Sequence, residues 1–296
     1  MAENSKIEWC HHTHNFWVGC AKVSPACVFC YAEGWAKRTG HPELWQGQRR
    51  RTTALNWRQP LKWDRQAAAA GEPVRVFANS LADFFDNQVP VEWRDDAWAL
   101  IRATPNLTWM LLTKRPQNIA EMLPPDWSGG YPNVWLGITV ENQEEANRRI
   151  PYLINSPARR RFLSCEPLLG PVDLTWVCLV PDGKVLPGVH FDALQGRRID
   201  LVIAGGESGP SARPMHPAWV RSLRDQCMAA GKPFFFKQWG EYQPRAHGID
   251  GWAVHWQAEP GQWVDGLSAR DDTMIRVGKK AAGATLDGRE WREMPA

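Results

Sequence analysis

No stretch of this sequence is apolar for long enough to cross a bilayer as a helix, which excludes a helical membrane protein. The opening Met1-Ala2-Glu3-Asn4-Ser5-Lys6 has no apolar targeting run either, so a reducing cytoplasm is the expected compartment. Excess charge is equally scarce: 35 Lys and Arg against 32 Asp and Glu leave a net +3. That balance identifies no partner, so any nucleic-acid footprint must be local. Two clusters could form one, Arg49-Arg50-Arg51 and Arg159-Arg160-Arg161, although such runs more often lie solvated on a surface. No internal repeat is detectable. The seven cysteines are an odd number, which argues against a disulfide framework.

Three of those cysteines stand close together in Gly19-Cys20-x6-Cys27-Val28-Phe29-Cys30-Tyr31-Ala32-Glu33. Clustered thiolates are soft ligands for zinc, copper(I) or iron–sulfur clusters, and a 4Fe-4S cube held by three of them keeps one iron open. Structural zinc is the competing reading. Cys27-x2-Cys30 is a knuckle spacing, and Cys10, His11, His12 or His14 could supply a fourth ligand. Cys178 and Cys227 read as buried apolar residues, as do most of the eighteen tryptophans, several of which could instead offer surfaces for bases to stack on.

Short apolar runs alternate with amphipathic stretches, the pattern of parallel strands joined by helices. Strands are expected at residues 75–80, 108–113, 133–140, 161–165, 200–204 and 233–237, with a first strand inside 14–18. Helices are expected at 31–38, 91–103, 117–122, 143–153 and 217–230. The fold class is therefore α/β: a full or partial parallel (β/α) barrel over residues 1–240, with a doubly wound open sheet as the alternative. A Gly- and Pro-containing segment at 174–198 reads as an insertion or hairpin. Residues 241–296 read as a C-terminal extension, able to cap a barrel mouth.

In parallel barrels chemistry gathers at the carboxyl ends of the strands, and here those ends are polar. They read Asn79-Ser80-Leu-Ala-Asp83, Thr113-Lys114-Arg115, Thr139-Val-Glu141-Asn142, Ser164-Cys165-Glu166-Pro167, Gly205-Gly206-Glu207-Ser208-Gly209 and Lys237-Gln238-Trp239-Gly240. Six such ends argue for a shared polar cavity. Gly205 and Gly206 would let backbone approach a ligand, and Glu207 could accept from an amine or ribose. Glu141 and Asn142 are the preferred ribose contacts, with Ser80, Glu166 and Lys237 completing the candidate cofactor site. Lys114, Arg115, Arg213 and Lys237 could hold a carboxylate or phosphate, or equally pair with Glu141, Glu166 or Glu207. Cys165 is a candidate hydrogen-atom donor; a plain barrel-wall thiol is the simpler reading.

The cysteine loop ahead of a strand–helix alternation resembles the radical S-adenosylmethionine superfamily, in which an aromatic residue commonly precedes the third cysteine, as Phe29 does here. The usual first spacing is three residues, against six in this chain. The superfamily's Gly-Gly-Glu usually follows the second strand and binds the methionine amine, whereas Gly205-Gly206-Glu207 follows the sixth expected strand. Across the chain, Phe77-Ala-Asn-Ser80, Leu112-Thr-Lys-Arg-Pro116, Leu136-Gly-Ile-Thr-Val-Glu-Asn142, Ser164-Cys-Glu-Pro-Leu-Leu169, Gly205-Gly-Glu-Ser-Gly209, Phe235-Phe-Lys-Gln-Trp-Gly240 and Leu286-Asp-Gly-Arg289 resemble an uncharacterised phage and bacterial family with a three-cysteine motif.

These resemblances imply a 4Fe-4S cluster on Cys20, Cys27 and Cys30, S-adenosylmethionine as cofactor, Phe29 near its adenine and an external electron donor. They also imply a three-Cys-motif partner protein, and the phage setting suggests nucleic-acid modification or repair. Spore photoproduct lyase supplies the analogous reaction type, a deoxyadenosyl radical acting on a DNA base. The alternative is a zinc-stabilised nucleic-acid-binding phage protein without catalysis. A zinc hydrolase fits the three-cysteine set less well.

Overall fold

The computed structural model describes residues 3–179, 188–245, 252–257, 261–266 and 273–295. Its main sheet has seven strands: β1 (His12–His14), β2 (Val74–Ala78), β3 (Leu107–Thr113), β4 (Val134–Thr139), β5 (Arg160–Cys165), β6 (Leu201–Gly205) and β7 (Phe234–Gln238). Order in the sheet follows order in the chain. The pairs β1–β2, β2–β3, β3–β4 and β6–β7 are parallel. A doubly wound sheet needs a reversal of strand order, and this order has none, so that alternative falls. The order also has two ends, β1 and β7. The protein is α/β, built on a parallel sheet.

These segments form strands because they bury both faces. Every residue of β6 is buried, as are Trp109, Met110 and Leu111 of β3. The first strand of the main sheet differs from the expectation that places it inside residues 14–18: it is His12–His14, while the short strand inside that range, Trp17–Val18, lies outside the main sheet. Two asparagines account for this. Phe16 N donates to Asn79 Oδ1 (2.9 Å) and Leu81 N to Asn15 Oδ1 (2.7 Å), so side chains replace the ladder and the backbone leaves the sheet. Trp17–Val18 then pairs antiparallel with Arg50–Arg51.

The helices of eight residues or more are α1 (Tyr31–Arg38), α2 (Ala54–Ala70), α3 (Val91–Arg102), α4 (Gln143–Asn155) and α5 (Pro217–Ala229); Ile119–Met122, within the helix expected at 117–122, and Lys279–Ala282 are single turns. The seventeen-residue α2 was not among the expected helices, because Pro60 interrupts its pattern. Its ends are nonetheless well specified: the Thr53 side chain accepts from Asn56 N, and Gly71 closes it at φ +69°.

The chain divides into two compact units. One holds the described residues through Thr139 together with Arg149–Phe162; the other holds Val140–Arg148 and the described residues from Leu163 onward. The first has an aromatic core of Trp9, Phe16, Trp17, Trp63, Phe84, Trp98 and Trp109, all at most 2 % exposed. Burying roughly 200 Å² per ring at about 25 cal/mol/Å² stabilises by up to about 5 kcal/mol each. In the second, α5 packs on β6 and β7. The segment expected as a hairpin pairs Val177–Cys178 with His190–Phe191; residues 180–187 of it lie outside the described residues. Beyond Gly240 the pairing becomes antiparallel, in the strand order Tyr242–Pro244, Thr273–Arg276, Trp252–Gln257, Gln262–Asp265. Among the described residues no helix is long and apolar enough to cross a membrane.

Candidate functional site

The cysteine loop begins where β1 has left the sheet. Gly19 takes φ +111°, and a Cβ there would sit 2.5 Å from Gln48 O, so only glycine lets the chain pass. Cys20 follows, its N–H held by Leu44 O. Cys27 ends a 3-10 turn over Pro25–Cys27, and Cys30 is the N-cap residue of α1. Two contacts tie this loop to the carboxyl ends of the parallel strands. Cys20 Sγ lies 3.6 Å from Arg115 Nη1, just beyond β3, and Tyr31 OH donates to Ser80 O, just beyond β2.

Arg115 is a buried hub. Its Nη1 pairs with Asp83 Oδ2 at 3.1 Å, its Nη2 donates to Ala21 O at 3.0 Å, and its own N–H donates to Thr113 Oγ1. Asp83 is in turn fully engaged, accepting from Thr113 Oγ1, Lys114 N and Phe85 N. Burial pushes the Cys20 thiol up to about 11; Asp83 adds to this and Arg115 opposes it. Unligated, Cys20 therefore keeps its proton at neutral pH. Phe29 is 43 % exposed on the loop surface.

Three thiols on one loop are a suitable soft donor set for an iron–sulfur centre. Among the described residues, however, no three His, Cys, Asp or Glu side chains stand together as a metal-holding group. The donor chemistry fits and the sulfurs are not preassembled. The candidate fourth zinc ligands are engaged elsewhere: His12 stacks on Trp63, His11 accepts from Arg75 N, His14 sits among aromatic rings and Cys10 Sγ faces Ile7 O.

In the second unit the polar strand ends are paired with one another. Lys237 Nζ meets Glu166 Oε1 at 3.0 Å, and Arg213 forms a two-pronged pair with Glu207 while donating its N–H to the same carboxylate. Of the four cationic residues considered, Arg213 and Lys237 make the expected kind of salt bridge, whereas Arg115 pairs with Asp83 and not with any of the three glutamates. Gly205 and Gly206 also have an internal role. A Cβ on Gly206 would lie 1.9 Å from Trp239 O, and one on Gly240 2.1 Å from Glu207 O, so two backbones pass in contact here. Glu141 is fully buried, and Asn142 Oδ1 accepts from Glu145 N at the start of α4. Cys165 is completely buried and its thiol pushed well up by that burial. Gln238 stands out: its Nε2 donates to Ser208 Oγ, and its buried Oε1 has no hydrogen-bond partner among the described residues.

Within the arginine clusters, Arg49, Arg51 and Arg161 are held by partners inside the chain. Arg49 pairs with Asp86 at 2.7 Å with both side chains buried, Arg51 pairs with Asp96 and covers Trp57, and Arg161 donates to Leu153 O and Ser156 O. The pairings Tyr31–Ser80 and Arg49–Asp86 had no sequence signal, since the partners lie far apart along the chain.

A family model described as "Protein of unknown function (DUF5131)" matches residues 4–295, and the chain belongs to that family. Neither the curated proteins nor the solved structures yielded a match. The family description carries no reaction and does not link the chain to the radical S-adenosylmethionine superfamily.

Proposed function

We propose that this member of the DUF5131 family is a radical S-adenosylmethionine enzyme in which Cys20, Cys27 and Cys30 hold a 4Fe-4S cluster. The supporting observation is the anchoring of the cysteine loop to the carboxyl ends of parallel strands, through Cys20–Arg115 and Tyr31–Ser80. Ligand sites of parallel α/β folds gather at those ends. When bound, the cluster supplies one-electron cleavage of S-adenosylmethionine to a 5'-deoxyadenosyl radical.

The chain's own part is positioning and exclusion of water. Arg115, locked by Asp83 and Thr113, orients Cys20. Phe29 is the proposed adenine neighbour, and Ser80 is proposed for the ribose side. The proposed substrate is nucleic acid, acted on in the cytoplasm with an external electron donor.

Anaerobic reconstitution should give about four irons and four sulfides per chain, lost on replacing Cys20, Cys27 or Cys30 by Ala. With a strong reductant the loaded protein should release 5'-deoxyadenosine, faster when the right DNA or RNA is present. Stoichiometric zinc without acid-labile sulfide, in protein never exposed to air, would overturn the cluster. An intact cluster that binds no S-adenosylmethionine would overturn the enzyme class; indifference to every nucleic acid would overturn the substrate alone.

A further inference from the structure

The hairpin between β5 and β6 carries a thiol–imidazole pair with no part in the radical chemistry. Cys178 stands directly opposite His190 in the antiparallel pairing, and its Sγ lies 3.3 Å from His190 Nδ1. That is hydrogen-bond reach for sulfur. The ring is held from its face by Trp176, with centroids 4.2 Å apart and planes inclined by 21°. The backbone under the thiol is fixed too. Cys178 N donates to Asn147 Oδ1 at 3.0 Å, Asn147 receives Gln143 Nε2, and Leu179 N donates to Val189 O.

Accessibility separates this thiol from most of the others. Cys10, Cys27, Cys165 and Cys227 are buried, whereas Cys178 is partly exposed. A purely structural cysteine needs neither an adjacent base nor access to solvent, and Cys178 has both.

We propose that Cys178 is a nucleophilic thiol with His190 as its general base, and that it takes low-molecular-weight disulfides to form a mixed disulfide. His190 Nδ1 accepts the thiol proton as Sγ attacks one sulfur of the disulfide. The disulfide's S–S bond breaks, and its electron pair leaves on the other sulfur. The imidazolium then returns the proton to that sulfur, releasing a thiol. One disulfide is consumed, one mixed disulfide and one thiol are formed, and no further oxidant is required.

The full chain can be treated with dithiodipyridine, following released thiopyridone by absorbance and locating the modified cysteine by peptide mass mapping. A synthetic peptide covering residues 174–179 supplies the same thiol without the imidazole. Cys178 should react about tenfold faster than the peptide at neutral pH, as expected for a thiol with a positioned base. His190→Phe, which keeps a ring for Trp176 to stack on, should bring the rate down to that of the peptide. A rate for Cys178 no greater than the peptide's, or unchanged in His190→Phe, would overturn the proposal. If the variant disturbs the hairpin, the comparison of native chain with peptide still decides. Iron and sulfide content is a separate readout, so the two proposals fall independently.

Discussion

Lowering the pH from about 7.5 to about 5 should cost this protein roughly 2 kcal/mol of stability through the single side chain of His14. At the end of β1 its ring has no solvent exposure and lies against Phe16, Trp109 and Trp63, with centroids 4.6, 5.8 and 6.3 Å away. Neither ring nitrogen has a hydrogen-bond partner among the described residues. Burial pushes the imidazole from 6.5 down to about 3. The unfolded chain therefore takes up a proton that the folded chain refuses. Stability is full above the unfolded value and falls as pH drops through 6.5 towards the folded value of about 3. Each pH unit in that window costs about 1.4 kcal/mol, so a point some 1.5 units below the unfolded value costs about 2 kcal/mol. His14→Leu removes the titrating group at similar volume, and at about pH 7.5 it should lie within about 1.5 kcal/mol of the native protein. Urea unfolding of both proteins at the two pH values gives the difference directly. Other acid-sensitive groups cancel in that comparison, so the variant should gain about 2 kcal/mol relative to the native chain on acidification. A difference that stays constant with pH would refute both the dry environment and the neutral state inferred for His14.

Two further substitutions test the packing around the candidate site. Arg115→Met leaves Asp83 without its buried cation and should destabilise by about 3 to 5 kcal/mol; a double-mutant cycle with Asp83→Asn, read by denaturant unfolding, should return much of that as coupling, and additive effects would show the pair to be energetically idle. Gly206→Ala puts a methyl group 1.9 Å from Trp239 O and should cost more than about 3 kcal/mol or prevent folding. Gly129→Ala, with nothing within 4 Å, should stay within about 0.5 kcal/mol by thermal unfolding, and equal behaviour of the two variants would contradict the close backbone crossing.

The parallel strands were legible because burial on both faces writes them as unbroken apolar runs, and β2, β3, β4, β5, β6 and β7 lie within one or two residues of their expected bounds. Local pattern failed where a side chain did the work of backbone, as at Asn15 and Asn79, or where a proline broke the helical signal, as in α2. The polar strand ends were visible individually but their pairings were not. Asp83 and Arg115 are 32 residues apart, and Cys20 and Arg115 95 apart. Spacing along the chain carries no information at such separations; the fold brings them together. Charges with little access to water must find partners before any ligand arrives, because an unpaired one costs several kcal/mol. A carboxylate at a strand end therefore reads in sequence as a ligand contact, while in the folded chain it is already neutralised, as Glu166 is by Lys237 and Glu207 by Arg213. Any charged ligand bound at these strand ends would have to replace such a pair, which makes exchange of salt bridges, more than filling of a vacant charge site, the energetic requirement for binding there.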